Sequence, residues 1–212
     1  MRVCLASTSP ARLMLLRQAG IEPLALPPHV DEDAVAAAAA AERGVELAPE
    51  EVVLLLARAK AADVASRLAA DGDFDGIVIG GDSMFAIGGR VYGKPYTAEE
   101  ATRRWNEMRG ATGVLHSGHS VYRVSPGAAP VEATAVAAAS VTFADDISDA
   151  EITAYVASGE PLHVAGAFTV DSLGGAFITR VDGDPSTVVG MSLSTVRRLA
   201  AELGVVWTDL WS

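Results

Sequence analysis

Two serines and an arginine near the start of this 212-residue chain could bind an anion. Ser7, Ser9 and Arg12 stand between a short apolar run and a helix that Ser9 would cap and Pro10 would begin. The free N–H groups and the dipole at such a helix start attract phosphate, and an arginine one turn further adds a forked donor. A plain helix cap with a solvated arginine has the same pattern, so this segment alone leaves both interpretations open.

A carboxylate follows the most apolar strand candidate of the chain. Asp82 and Ser83 come directly after Gly76–Gly81, a run of strand length that is typical of a strand buried on both faces. Open α/β sheets bind ligands at the carboxyl ends of their strands, where a carboxylate can hold a metal ion or accept a proton from water. Taken alone, an aspartate at this position is more often a turn residue.

The only two lysines of the chain, Lys60 and Lys94, are the next candidates. Sixteen residues are lysine or arginine, so arginine carries nearly all the basic charge, and retained lysines invite a specific role. Lys60 lies among alanines in a predicted helix, and Lys94 lies in a turn between Gly93 and Pro95. Glu32, in an acidic cluster, could be a metal ligand, although such clusters are usually solvated.

Composition excludes several classes of function. The net charge of −11 provides no basic stripe for a nucleic-acid polymer or an anionic membrane. The longest apolar runs, Ala34–Ala41 and Val52–Ala57, are far shorter than the roughly 18 residues of a membrane span, and the first residues resemble no signal peptide. Cys4 has no possible disulfide partner within the chain. These features predict a cytoplasmic protein without membrane or nucleic-acid partners.

Common catalytic motifs are absent from the sequence. There is no P-loop, no dinucleotide-binding glycine pattern, no GxSxG and no zinc-type cysteine and histidine spacing. His116 and His119 would face opposite sides of a strand, so we expect all four histidines to be structural or surface groups.

Strand and helix signals alternate along the chain, and hairpin signals occur among them. The pattern predicts an α/β fold with a mixed sheet flanked by helices. Helices are expected after the caps Ser9, Thr97 and Ser148, from Pro49 to Ala70, and over Ser192–Leu203. Strands are expected at Val3–Ala6, Gly76–Gly81, Met84–Ile87, Arg90–Tyr92, Val114–Val124, Val131–Phe143 and Ala176–Val181.

Taken in order, these segments resemble the Maf family of septum-formation-inhibitor-like nucleoside triphosphate pyrophosphatases. The N-terminal LASTSPARLMLL is similar to the family's LASxSPRRxxLL, Val30-Asp31-Glu32 to its V-acidic-Glu element, and ARAKA around Lys60 to its LAxxKA helix. GDS at Asp82, GKP at Lys94, EITAY with SGEPL, AGAF with LGG, and VVGM near the C-terminus match further family motifs. The likeness covers nearly the whole chain, which predicts a single domain over residues 1–212.

The resemblance implies an elongated mixed sheet with two lobes and a central cleft, similar to inosine triphosphate pyrophosphatases, and a homodimer. It implies hydrolysis of nucleoside triphosphates to monophosphate and pyrophosphate with Mg²⁺ or Mn²⁺, and the removal of non-standard or modified nucleotides. Asp82 would accept the proton of the attacking water, and Glu32 would hold the metal with Asp82 or orient that water. The residues that would bind the triphosphate are Ser7, Ser9, Arg12, Lys60 and Lys94, with Lys94 also in the catalytic set.

The sequence departs from the family pattern at positions tied to base selectivity. Ala11 replaces the first arginine of SPRR, Ser83 replaces a threonine, and Asp171 replaces a glutamine. We therefore expect pyrophosphatase activity with an altered base preference. His163-Val164 replaces an Asp-Lys pair. The alternatives are a catalytically weak nucleotide-binding regulator of cell division, or an enzyme acting on another phosphorylated molecule such as a nucleotide sugar; the retained catalytic set argues against the regulator.

Overall fold

The computed structural model describes residues 1–212 and contains seven strands and seven α-helices. The strands are β1 Arg2–Ala6, β2 Leu24–Ala25, β3 Gly76–Ile87, β4 Arg90–Tyr92, β5 Thr112–Val124, β6 Val131–Phe143 and β7 Ile178–Asp182. The helices are α1 Pro10–Gln18, α2 Glu32–Arg43, α3 Pro49–Asp71, α4 Ala98–Met108, α5 Asp149–Ala157, α6 Pro185–Val189 and α7 Leu193–Glu202. None of these helices combines the length and the apolar character that crossing a bilayer requires.

All seven strands belong to one mixed sheet. Its order is β2-β1-β3-β5-β6-β7, with β4 paired to β3. β1 pairs in parallel with β2 and β3, whereas β3 with β4 and β6 with β7 are antiparallel. The predicted α/β fold with a mixed sheet is confirmed.

Local sequence signals account for most element boundaries. Ser9, Thr97, Ser148 and Ser192 each cap a helix by accepting a hydrogen bond from the backbone N–H three residues on. Gly88 and Gly89 have φ angles of 56° and 78°, which is the backbone of a two-residue hairpin turn between β3 and β4. The predicted caps and hairpin are therefore confirmed.

The chain divides into two compact units. The first unit comprises Met1–Asp82, Ser117–Ala137 and Gly190–Ser212, and the second comprises Ser83–His116 and Ala138–Val189. One core cluster of the first unit packs α3 against β1 and β3 through small and branched side chains such as Ala65, Val64 and Val78. The core of the second unit is aromatic, with Trp105 and Phe143 fully buried in T-shaped contact at 5.5 Å.

The observed β3 and β7 differ from the predicted strands. β3 does not end at Gly81 but runs on to Ile87, so Asp82 lies within a strand and not in a turn. β7 begins at Ile178 and not at Ala176, because Leu173–Phe177 forms a 3₁₀ helix. The prediction of one domain over the whole chain stays a prediction.

Candidate functional site

The start of α1 presents a set of linked hydroxyls. Ser7 directly follows β1, whose parallel pairing with β3 ends with Ala6 opposite Gly80. The Ser7 Oγ accepts a hydrogen bond from the Ser9 N–H at 3.1 Å, and the Ser9 Oγ accepts one from the Arg12 N–H at 3.4 Å. The loop between strand and helix is thereby ordered, with Ser7 buried. The predicted helix cap and the predicted anion-binding segment are the same structure.

Arg12 is buried and held from several directions within the first unit. Its Nε donates to the Gly190 carbonyl at 2.8 Å, and its Nη1 lies 3.4 Å from the Ser7 Oγ. Burial lowers the pKa of the Arg12 guanidinium, and the carboxylates of Asp82 and Glu32 oppose that shift. Sequence alone left open a solvated surface arginine; the buried position excludes that interpretation.

Lys60 forms ion pairs with both carboxylates to which the family resemblance assigns catalytic roles. Its Nζ lies 2.8 Å from Asp82 Oδ1 and 2.9 Å from Glu32 Oε1. The side chain of Lys60 is 8% exposed and that of Asp82 12%, whereas Glu32 is 50% exposed. Glu32 begins α2 directly after the N-cap Asp31, so this glutamate is not part of an unstructured acidic loop.

A close approach of helix to strand brings Lys60 to Asp82. A Cβ built on Gly80 would lie 2.5 Å from the Ala57 carbonyl oxygen and 2.7 Å from the Ala61 Cβ. Only glycine at this position lets α3 pack so tightly on β3. The alanines around Lys60 are therefore the helix side of a tight contact, and the lysine lies between Ala57 and Ala61 on the same helix.

The carboxylates suit a divalent metal that a substrate helps to hold. No group of three or more histidine, cysteine, aspartate or glutamate side chains could hold a metal by itself. Asp82 and Glu32 nevertheless converge on one atom, the Nζ of Lys60. Mg²⁺ usually takes one or two protein carboxylates and completes its shell with water and substrate phosphates. The donor set fits that pattern.

The remaining predicted residues have these positions. Ala11 lies in the first turn of α1, partly buried. Ser83 follows Asp82 in β3 but belongs to the second unit, as do Lys94 and Asp171, both exposed. That Ser83, Lys94 and Asp171 contact the same ligand as the residues around Lys60 stays a prediction.

The loop that carries Asp171 is organised by one partly buried acceptor, Glu160. Glu160 accepts hydrogen bonds from the Ser172 hydroxyl at 2.7 Å and the Gly174 N–H at 3.0 Å, and from Thr169 and Tyr155. Burial raises the pKa of Glu160, but the hydrogen bonds outweigh burial and lower it to about 2. Asp171 is thus presented to solvent from a loop tied down on both sides.

Two further residues position Asp82 and Arg12, and the sequence did not predict that role for either of them. The Ser117 hydroxyl lies 3.3 Å from the Asp82 carbonyl and 3.3 Å from the Gly190 carbonyl. Gly190, through its carbonyl, is also the acceptor for Arg12. Gly190 lies in the VVGM segment that matches a family motif, so the sequence indicated the position but not its role. No local sequence pattern indicates a role for Ser117.

The histidine most enclosed by the fold is structural, as predicted. His119 is fully buried, and its Nε2 accepts a hydrogen bond from the Ser192 N–H at 2.9 Å, next to the start of α7. His29 and His163 are exposed and His116 is partly buried.

Sequence comparison with known proteins finds relatives over nearly the whole chain. The profile of the family described as Maf-like protein matches residues 2–203. The nucleoside triphosphate pyrophosphatase of Leifsonia xyli subsp. xyli is 60% identical over 215 residues, covering 100% of this chain and 97% of the relative. That of Rhodococcus jostii is 52% identical, covering 98% and 95%. A nucleoside-triphosphatase (dITP/XTP pyrophosphatase) structure from Mycobacterium abscessus covers 96% of this chain and 97% of its own, with 10% identity and a TM-score of 0.34.

Proposed function

The chain belongs to the family of Maf-like proteins, and we propose on that premise that it hydrolyses nucleoside triphosphates to monophosphate and pyrophosphate. The observation that carries the proposal is the buried Lys60 ammonium between the Asp82 and Glu32 carboxylates, next to the ordered start of α1. This arrangement combines a proton acceptor with cations for phosphate oxygens. Removal of non-standard or modified nucleotides is the role we expect for it.

The reaction needs a base for water and positive charge for the leaving group. We assign Asp82 as the acceptor of the water proton: the water oxygen bonds to the α-phosphorus, and the bond from that phosphorus to the bridging oxygen breaks. Negative charge then develops on the departing pyrophosphate. Arg12 and Lys60, held in a buried environment, would stabilise that charge, because fixed cations act most strongly where water is excluded.

We assign the divalent cation, Mg²⁺ or Mn²⁺, to Asp82 and Glu32. When bound, it would supply a further positive charge to the phosphate oxygens. Removing metal with a chelator should abolish pyrophosphate release, and adding Mg²⁺ or Mn²⁺ should restore it.

The direct test is pyrophosphate release from a panel of standard and modified nucleoside triphosphates. Release from at least one of them in the presence of metal supports the proposal. If every triphosphate is left intact but a nucleotide still binds, the chain is a binding protein and the regulator of cell division becomes the better hypothesis. Cleavage of a nucleotide sugar to nucleoside monophosphate and sugar phosphate, with every triphosphate left intact, would instead identify the third alternative.

Base preference should depend on Asp171. A glutamine amide both donates and accepts hydrogen bonds toward uracil or thymine, whereas a carboxylate only accepts and suits the N1–H and amino donors of guanine. We expect Asp171→Gln to shift the ratio of kcat/KM values away from guanine nucleotides by about tenfold, as for one hydrogen bond to a charged group. Asp209→Asn, at an exposed position of the first unit, serves as a control. An unchanged ratio of kcat/KM values across the panel would show that Asp171 does not contribute to base recognition.

The two lysines should not tolerate arginine. A planar guanidinium replaces a compact ammonium poorly where Lys60 fits between two carboxylates. We expect Lys60→Arg and Lys94→Arg each to lower kcat/KM by about tenfold or more. The converse change Arg58→Lys, at an exposed residue paired with Glu132, should have no effect. Full activity of both lysine variants would refute the hypothesis that Lys60 and Lys94 were retained for a specific role that arginine cannot fill.

Three further expectations rest on the sequence and the resemblance. We propose a homodimer, a cytoplasmic location, and no membrane or nucleic-acid partner. The net charge of −11 supports the last of these.

A further inference from the structure

The Lys60 ammonium occupies the point on which the two proposed metal ligands converge. Asp82 Oδ1 and Glu32 Oε1 lie 2.8 Å and 2.9 Å from the same nitrogen. Both distances are those of charge-assisted hydrogen bonds. In the structure described, these oxygens neutralise a lysine.

The four charged side chains of this group balance one another. Arg12 and Lys60 contribute two positive charges, and Asp82 and Glu32 contribute two negative ones. A bare divalent cation would leave this largely buried group with excess positive charge next to an ammonium. A triphosphate that carries its own metal brings net negative charge, so it would restore the balance and offer Lys60 phosphate oxygens as new partners.

One member of the group is placed to move. Lys60 and Asp82 are buried, but the Glu32 side chain is half exposed. α2, which Glu32 begins, buries none of its residues fully. Separating Glu32 from Lys60 therefore disturbs little packing, whereas Asp82 is fixed in a strand.

We propose that Lys60 is a resident counter-ion that closes the Asp82–Glu32 pair to a divalent cation until a triphosphate arrives and takes over the ammonium. The proposal rests on the proposed function, since it assigns these carboxylates to a metal. Its consequence is an order of binding: the free protein takes up little metal, and metal enters together with the polyphosphate.

The proposal is tested by measuring Mn²⁺ binding to the protein without nucleotide. Binding is followed by calorimetry and by the loss of the electron paramagnetic resonance signal of free Mn²⁺. We expect weak binding to the wild type. Lys60→Met removes the competing charge and should tighten Mn²⁺ binding by about tenfold or more. The double variant Lys60→Met/Asp82→Asn should lose that gain. Arg58→Met, which removes an exposed positive charge from the same helix, is the matched control and should behave as the wild type.

The wild type provides a second test that needs no substitution. Adding inorganic triphosphate should increase Mn²⁺ retention by the protein beyond that of triphosphate alone. Tight Mn²⁺ binding by the wild type without any polyphosphate would overturn the proposal, as would equal Mn²⁺ affinities of wild type and a folded Lys60→Met. Pyrophosphate release by the wild type is scored separately. If the wild type releases pyrophosphate but these binding results fail, the counter-ion role falls and the proposed function stands. If the binding results hold but no triphosphate is hydrolysed, the proposed function falls and the counter-ion role stands.

Discussion

Asp82→Asn should lower the kcat of pyrophosphate release by about a thousandfold, within the range for loss of a general base. Asparagine keeps the size of the side chain, and its amide oxygen can still accept from the Lys60 ammonium that lies 2.8 Å away. It cannot accept a proton from water near neutral pH. We therefore expect a folded protein that binds nucleotide and releases almost no pyrophosphate, measured by a coupled phosphate assay at saturating substrate.

The control for this variant is a carboxylate in the same unit with an ordinary structural role. Asp63 lies on α3 and pairs with Arg67 at 2.8 Å. Asp63→Asn removes the same charge and should leave pyrophosphate release unchanged. Asp82→Asn with most of the wild-type rate would remove Asp82 from its assigned role, and Glu32 would become the better candidate for the base.

Gly80→Ala should destabilise the protein by about 3 kcal/mol, the cost expected when a methyl group is forced into a filled contact. The added Cβ would meet the Ala57 carbonyl oxygen at 2.5 Å, and backbone atoms of a long helix cannot be turned aside as a side chain can. α3 must shift from β3, and Lys60 moves with it. We expect a lower midpoint in urea unfolding and, in the folded fraction, slower pyrophosphate release.

Gly93→Ala is the matched control for stability. A Cβ on Gly93 would have no neighbour within 4 Å, and the residue does not have a positive φ angle. Its free energy of unfolding should differ from that of the wild type by less than about 0.5 kcal/mol. If Gly80→Ala unfolds at the same urea concentration as Gly93→Ala, the close approach of helix and strand is not the constraint we describe.

Local residue types alone determined much of the fold. Ser9 with Pro10, Thr97 and Ser148 each begin a helix where their side chains predict one, because a cap depends on residues three positions apart. Gly88 and Gly89 set the hairpin for the same reason. The extent of β3 could not be predicted in this way. Asp82 has the local sequence of a turn, and its strand conformation depends on pairing with residues distant in the chain.

The sequence by itself determined which side chains are candidates: two retained lysines, two carboxylates, and hydroxyls before a helix. The tertiary structure decided which of them meet. Lys60 and Asp82 are 22 residues apart, and their contact follows from the packing of α3 on Gly80 and not from any local pattern. The partnership of Lys60 with Glu32 likewise depends on where α2 begins relative to α3. Ion pairs across such separations are set by the packing of whole elements, so sequence can list the charges and only the fold can pair them.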